Sequence, residues 1–263
     1  MISIQWLGTA GFRIQAQGTS FLIDPHLSGR GSGRPDGKRL EPQRLASDII
    51  LISHGHVDHA GDLPEILAAS GGQVLCNSTV AERLLGAGLP RERVIPVDAG
   101  TRYFHGDYRV EVFSARHTPL DAQTLMRGLL RGGTRFLKTV LLMRQFPAGN
   151  SLSFRICLFS GCRIQHFGSG GTTREELDQM NSAGSLDILL LPFQRRKGWV
   201  EDLIRHVRML RPRIVIPHHH DDSLPPITEP VDIRPAMETL AKTSPGTRMV
   251  RLRAMEVFHL TPW

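Results

Sequence analysis

The stretch DIILISHGHVDHAGDLPEIL, residues 48–67, packs three histidines and two aspartates into the nine positions from His54 to Asp62. Imidazole and carboxylate are ordinary ligands for zinc, and also for manganese or iron. The His-x-His spacing of His54 and His56 suits two ligands on one ion, and the adjacent Asp58 and His59 suit two on a second. Four ligand-type side chains in six positions, straight after the apolar run Ile49–Ile52, argue against a polar surface loop that carries a few histidines by accident. An ion held this way lowers the pKa of its water to about 7 and polarises an oxygen that gains charge, which suits attack on a carbonyl or phosphoryl centre. Asp58 then orients the water or accepts its proton. No G-x-S-x-G nucleophile motif appears.

These side chains need a scaffold. The apolar run reads as a strand buried on both faces, so positions 54–59 fall in the loop at its C-terminal end, where open α/β folds place ligands. Gly55 lets the backbone turn so that neighbouring imidazoles converge. ISIQWLG and GFRIQAQGTSFLIDP alternate at period two around a turn at Gln17-Gly18. YFHGDYRVEVFSARH and LSFRICLFSGCRIQHFGS read as hairpins turning at Gly106-Asp107 and Ser160-Gly161. DLPEILAAS, TVAERLLGAG, TREELDQMNSAG and WVEDLIRHVRML read as helices, the second closed by glycine and the third opened by acids. GQVLCNS, LDILLLP and RIVIPHHH are strands, and RMVRLRAMEVFHL closes the chain as strands. With no repeat and no linker composition, residues 1–263 are expected to form one α/β domain of two βα halves.

With 263 residues, of which 40% are hydrophobic, the chain can bury a sizeable core. No apolar run reaches membrane-spanning length, and the N-terminus lacks the pattern of a secretory signal. Three cysteines, Cys76, Cys157 and Cys162, form no disulfide framework, so a cytoplasmic location is expected. The formal net charge of +7 is compatible with anionic substrates, nucleic acid or acidic membrane surfaces.

HGHVDH resembles the H-x-H-x-D-H signature of the metallo-β-lactamase superfamily. GTAGFRIQAQGTSFLIDPHLSG resembles the opening hairpin of its branch that includes ascorbate-6-phosphate lactonase, with Asp24-Pro25 after the second strand. The resemblance runs along most of the chain. It implies a four-layer αββα sandwich of two mixed β-sheets flanked by helices, with metals at one edge. It also implies His117 (in VEVFSARHTP) and His219 (in RIVIPHHHDD) as later ligands. His54, His56 and His117 would hold one divalent ion, and Asp58, His59 and His219 another, with zinc expected and manganese or iron as alternatives.

One position departs from the pattern. The family's strand after the fourth hairpin ends in Gly-Asp, whose aspartate bridges the two metals, but here the turn at Ser160-Gly161 puts Ser169 there. Cys162 lies about 20 Å away along the strand, beside the turn, and is disfavoured as a substitute. The site then holds one ion, or two bridged only by water or hydroxide, and Ser169 is expected to face the cleft. Asp24 is expected to support a metal-bound imidazole. His26 reads as a cleft-wall or surface residue, and His166 as a packing residue. His105, His206 and His259 read as structural or exposed, and strand alternation turns His218 and His220 away from His219.

Substrate signals are sparser. Residues 122–174 contain no Asp or Glu, and 122–146 mix basic with large apolar residues, in an insertion at about 118–148 that follows His117. Arg195, Arg196 and Lys197 follow a strand end on the expected metal side and would bind phosphate or carboxylate. The reading is a hydrolase of a small anionic ester, lactone or phosphoester. One alternative is a membrane-associated phospholipid hydrolase resembling the N-acyl-phosphatidylethanolamine phospholipase D branch, contacting lipid through 122–146. Another is a non-enzymatic module with a degraded metal site. No specific nucleic-acid partner is expected, because the superfamily's nucleases carry an added clamp domain and no segment here is long enough for one.

Overall fold

The computed structural model describes residues 1–27, 37–118, 121–193 and 198–261. The first half contributes β1 (Ile2–Gly8), β2 (Gly11–Ala16), β3 (Thr19–Ile23), β4 (Ile49–Leu51), β5 (Gln73–Cys76) and β6 (Val94–Pro96). The second contributes β7 (Arg102–His105), β8 (Tyr108–Ser114), β9 (Leu152–Leu158), β10 (Arg163–Phe167), β11 (Ile188–Pro192), β12 (Ile214–His218) and β13 (Arg248–Met249). The chain then returns through β14 (Val257–Leu260) to pair antiparallel with β1.

Among the described residues each half builds a seven-stranded mixed sheet. The first runs β14-β1-β2-β3-β4-β5-β6 and the second β13-β12-β11-β10-β9-β8-β7. In both, antiparallel hairpins give way to parallel strands joined through helices, from β3 to β6 and from β10 to β13. The β2–β3 turn shows why the hairpin registers are legible. Gln17 and Gly18 both take positive φ, 52° and 80°, as a two-residue turn matching strand twist requires.

Side-chain alternation divides the core into layers. Phe12, Phe21 and Leu51 of the first sheet meet Val110, Phe154 and Ile164 of the second in the central apolar layer. The intervening positions Leu22 and Ile50 face outward onto α2 (Leu63–Ala69) and α3 (Ser78–Gly86). Leu189 and Val215 of the second sheet face α6 (Arg174–Ser182), α7 (Trp199–Leu210) and α8 (Arg234–Thr243). The result is the four-layer sandwich. Each fully buried Leu, Ile or Phe contributes about 1.5–3 kcal/mol, so both sheets are held on both faces.

Three features go beyond the sequence reading. A one-turn helix α1 (Val57–Ala60) carries Asp58 and His59, where a loop was expected. Strand β6 and helix α8 were not read at all. Residues 122–146 form a helical hairpin, α4 (Ala122–Gly132) and α5 (Thr134–Arg144). Arg195, Arg196 and Lys197 lie outside the described residues.

Candidate metal centre

All six expected ligand positions follow strand ends at one edge of the sandwich. His54 and His56 come after β4, and Asp58 and His59 on the helical turn beyond it. His117 follows β8, and His219 follows β12. At Gly55 the backbone must pass another chain segment: its N–H donates to Ala148 O at 2.8 Å, and a Cβ would lie 2.1 Å from Pro147 O. His219 takes φ +56°, with its N–H donating to Thr9 O at 2.8 Å. That left-handed residue breaks the strand, so simple alternation does not govern His218–His220. His218 stacks on His166 inside the sandwich and His220 stacks on Trp6.

The side chains converge as two trios, His54, His56 and His117, and Asp58, His59 and His219. Within each trio the potential ligand atoms lie within 4.8 Å of one another. Three such atoms sit no farther than about 2.8 Å from a common centre, against zinc–nitrogen bonds of about 2.0–2.1 Å. The trios adjoin: the His54 and His59 rings are 4.0 Å apart by centroid. Asp58 Oδ2 lies 3.4 Å from His219 Nε2 and 3.8 Å from His59 Nε2.

A buried hydrogen-bond relay sets two of the rings. Asp24, fully buried after β3, accepts from Ser53 N at 2.8 Å, from Ser53 Oγ at 2.5 Å and from His59 Nδ1 at 2.9 Å. The Ser53 hydroxyl proton is committed to Asp24, so the 3.0 Å contact from Ser53 Oγ to His54 Nδ1 requires the ring to donate. His54 Nε2 is therefore the lone-pair atom, and it is buried with no protein partner. A buried acceptor left open beside two more imidazoles fits a metal ion, as does the Asp58–His59–His219 donor set. Gly168 allows the relay to close, since a Cβ there would lie 1.8 Å from Ser53 Oγ and 2.6 Å from Asp24 Oδ2.

Electrostatics match ligand duty. Burial, then the neighbouring histidines, push His54 well below the ordinary imidazole range and His117 down to about 4. Burial lowers His56 as well. These rings are neutral at pH 7, with lone pairs available. Burial alone would raise Asp58, but His59 and His219 outweigh it and keep the carboxylate ionised. Burial would lower His59, yet Asp58 and Asp24 on either side raise it.

The remaining candidates divide. His26 pairs with Asp62 at 3.2 Å. Ser169 is buried, and its hydroxyl accepts the Thr118 N–H at 2.9 Å, one peptide from His117. It is not among the described residues lining the cleft. Cys162 lies in the central apolar layer, its thiol pushed up to about 12 by burial. His166 Nε2 donates to Ala10 O at 3.2 Å, and His206 Nε2 bonds Thr172 Oγ1 at 2.8 Å, both inside the protein. Sequence reasoning missed Ser53, Gly168, Met143, Ser223 and Thr228. Only Ser53 had a visible signal, its place between the strand and the motif.

The trios open into a narrow cleft of about 30 Å³. Thr118, Ser223 and Thr228 supply hydroxyls, and Met143, Leu224 and Ile227 an apolar wall. The Thr118 and Ser223 hydroxyls are buried without protein partners.

Known proteins share this architecture. A metal-dependent hydrolase of the UPF0173 group from Carboxydothermus hydrogenoformans is 27% identical over 226 residues, covering 84% of this chain and 85% of its own length. A metallo hydrolase from the archaeon Ignicoccus hospitalis superposes with a TM-score of 0.73 at 18% identity, covering 99% of both chains. CmlA, a diiron β-hydroxylase from Streptomyces venezuelae, superposes with a TM-score of 0.65 at 17% identity, covering 98% of this chain and 54% of that one. These names do not single out the lactonase branch. The beta-lactamase superfamily domain matches residues 3–219. With that match across most of the chain, and two seven-stranded sheets carrying both trios at one edge, the chain belongs to the beta-lactamase superfamily and has the metallo-β-lactamase fold.

Proposed function

We propose that the chain is a metal-dependent hydrolase of a small ester, lactone or phosphoester carrying negative charge. The observation that carries the reading is the pair of facing trios with His54 Nε2 buried and open. His54, His56 and His117 would hold one divalent ion, and Asp58, His59 and His219 a second. We favour zinc for this imidazole-rich set. A bound ion of this kind acidifies water and polarises the oxygen that gains charge.

The chain's own residues supply the rest. Asp58, kept ionised by His59 and His219, orients the attacking water and is the acceptor for its proton. Asp24 and Ser53 hold the rings of His59 and His54 in fixed tautomers. The open hydroxyls of Thr118 and Ser223 are donors for substrate oxygens, and Met143, Leu224 and Ile227 take an apolar group. Arg195, Arg196 and Lys197, which follow β11 in the sequence, are the side chains we assign to the substrate's charge. We place the protein in the cytoplasm, a reading supported by its three unpaired cysteines.

The test combines metal analysis with a screen of lactone, phosphodiester and phosphomonoester substrates. Activity should vanish in chelator and return with one added metal. His56→Ala should lower metal content and turnover together. A variant with normal metal and normal turnover would refute the ligand assignment, and wild-type protein that retains no metal would favour the non-enzymatic alternative.

A further inference from the structure

Helices α4 and α5 bury almost none of their own surface. Gly128 is the one buried position of α4, and α5 has none. The hairpin is seated through glycines: a Cβ at Gly132 would lie 2.1 Å from Pro226 Cγ, and one at Gly128 would lie 3.2 Å from Ile227 Cα. At about 100° per residue, Leu125, Met126, Leu129 and Leu130 form one contiguous arc on α4, in which Leu125 and Leu129 flank that seat and Met126 and Leu130 lie on the far side of the helix from it. Met126 is 57% exposed and Leu130 78%. On α5, Leu137 and Leu141, one turn apart, are exposed at 56% and 57%. An ordinary surface helix turns its apolar arc inward. This pair turns it to solvent.

The charges around the arcs share one sign. Arg127, Arg135, Lys138 and Arg144 are exposed on the same two helices. Among the described residues, only Arg131 of these helices pairs with an acid, Glu229 at 2.8 Å. No Asp or Glu occurs between 122 and 174.

We propose that the outward face of α4–α5 is a docking surface for an anionic lipid bilayer. Leucine and methionine side chains enter the acyl boundary while guanidinium and ammonium groups meet acidic headgroups. A second copy of the chain is the poorer occupant, because a two-fold contact would set this basic face against itself. The contact is peripheral: no helix among the described residues is long and apolar enough to cross a membrane. Docking would also bring the cleft to the interface, since Met143 of α5 forms part of its wall and Pro147 abuts Gly55 of the metal loop.

Flotation of the metal-loaded protein with vesicles tests this without reference to turnover, so it stands or falls apart from the hydrolase reading. Vesicles of phosphatidylcholine alone are compared with vesicles containing phosphatidylglycerol, at low and high salt. The protein should float with the anionic vesicles, less so at high salt, and stay behind with the neutral ones. Lys138→Glu should weaken partitioning by at least about fivefold, the worth of one basic side chain at an acidic surface. Leu130→Glu with Leu141→Glu should abolish it while leaving metal content unchanged. Wild-type protein that ignores both vesicle types overturns the proposal. So does a stable dimer that the two leucine substitutions convert to monomer, because the face would then belong to a second copy.

Discussion

Ser53 has one hydroxyl proton and two buried neighbours. That proton goes to Asp24 Oδ2, so His54 must donate from Nδ1 and present Nε2 to the cleft. Ser53→Ala removes the acceptor for His54 Nδ1 and a donor to Asp24 together. Loss of such outer contacts typically weakens metal binding 10–100-fold. Isothermal titration of chelator-stripped protein should therefore show at least about a tenfold loss for the first ion, and an unchanged affinity would show that the relay does no orienting. Ser169 is a different kind of position. A carboxylate bridging two cations offsets their repulsion, and by the family pattern that position falls on Ser169, whose hydroxyl here accepts Thr118 N–H and is not among the described residues lining the cleft. The second ion should be the looser one, and Ser169→Asp should raise bound metal toward two per chain at limiting supply. Two equally tight ions in the wild type after dialysis would contradict this.

Among the elements, the metal loop and the exit of the α4–α5 hairpin form a close junction. Gly55 donates to Ala148 O, and Asn77, which caps α3 through Val80 N, also donates to Ala148 O and Asn150 O. Gly55→Ala would put a methyl group 2.1 Å from Pro147 O, an overlap only backbone movement can relieve. A cost of about 1–3 kcal/mol is expected. Urea unfolding should show it, and metal affinity should fall with it, since the same backbone carries His54 and His56. Unchanged stability would mean that the hairpin exit moves freely. The sequence signalled Gly55 as a turn residue but not the segment pressing on it, which lies more than ninety positions downstream. Strand β6 is three residues long, and α8 buries only Ala236 and Leu240, so neither has enough apolar periodicity to be read reliably.

For the whole molecule, buried neutral histidine makes acid a denaturant. Burial holds His166 at about 4, against 6.5 for an ordinary imidazole. Between those two values the unfolded chain binds the extra proton and the folded one does not, so stability falls as pH drops through that window. The loss from this ring is fully absent above 6.5 and amounts to roughly 3 kcal/mol at pH 4. In chelator, His166→Gln should flatten the dependence of the urea midpoint between those pH values by a comparable amount. A wild type and variant with parallel pH profiles would contradict the assignment. The vulnerability sits where His166 stacks on His218 between the sheets, with Phe12 edge-on to both.

The local order of residues was enough to determine the strand hairpins, the four ligand-type side chains after β4 and, through resemblance, His117 and His219. Turn chemistry and period-two alternation act over a few residues, and a metal motif is written in contiguous spacing. The sequence pointed to Asp24 as a support for a metal-bound imidazole, but the tertiary structure decided which ring it holds and which groups join it. Asp24, Ser53 and Gly168 meet across 29 and more positions because β3, β4 and β10 end at one edge. Whether the apolar residues of 122–146 face inward or outward also needed the fold. Helical periodicity shows that an arc exists, but only the neighbours, here Pro226 and Ile227 against two glycines, determine which side of the helix is covered.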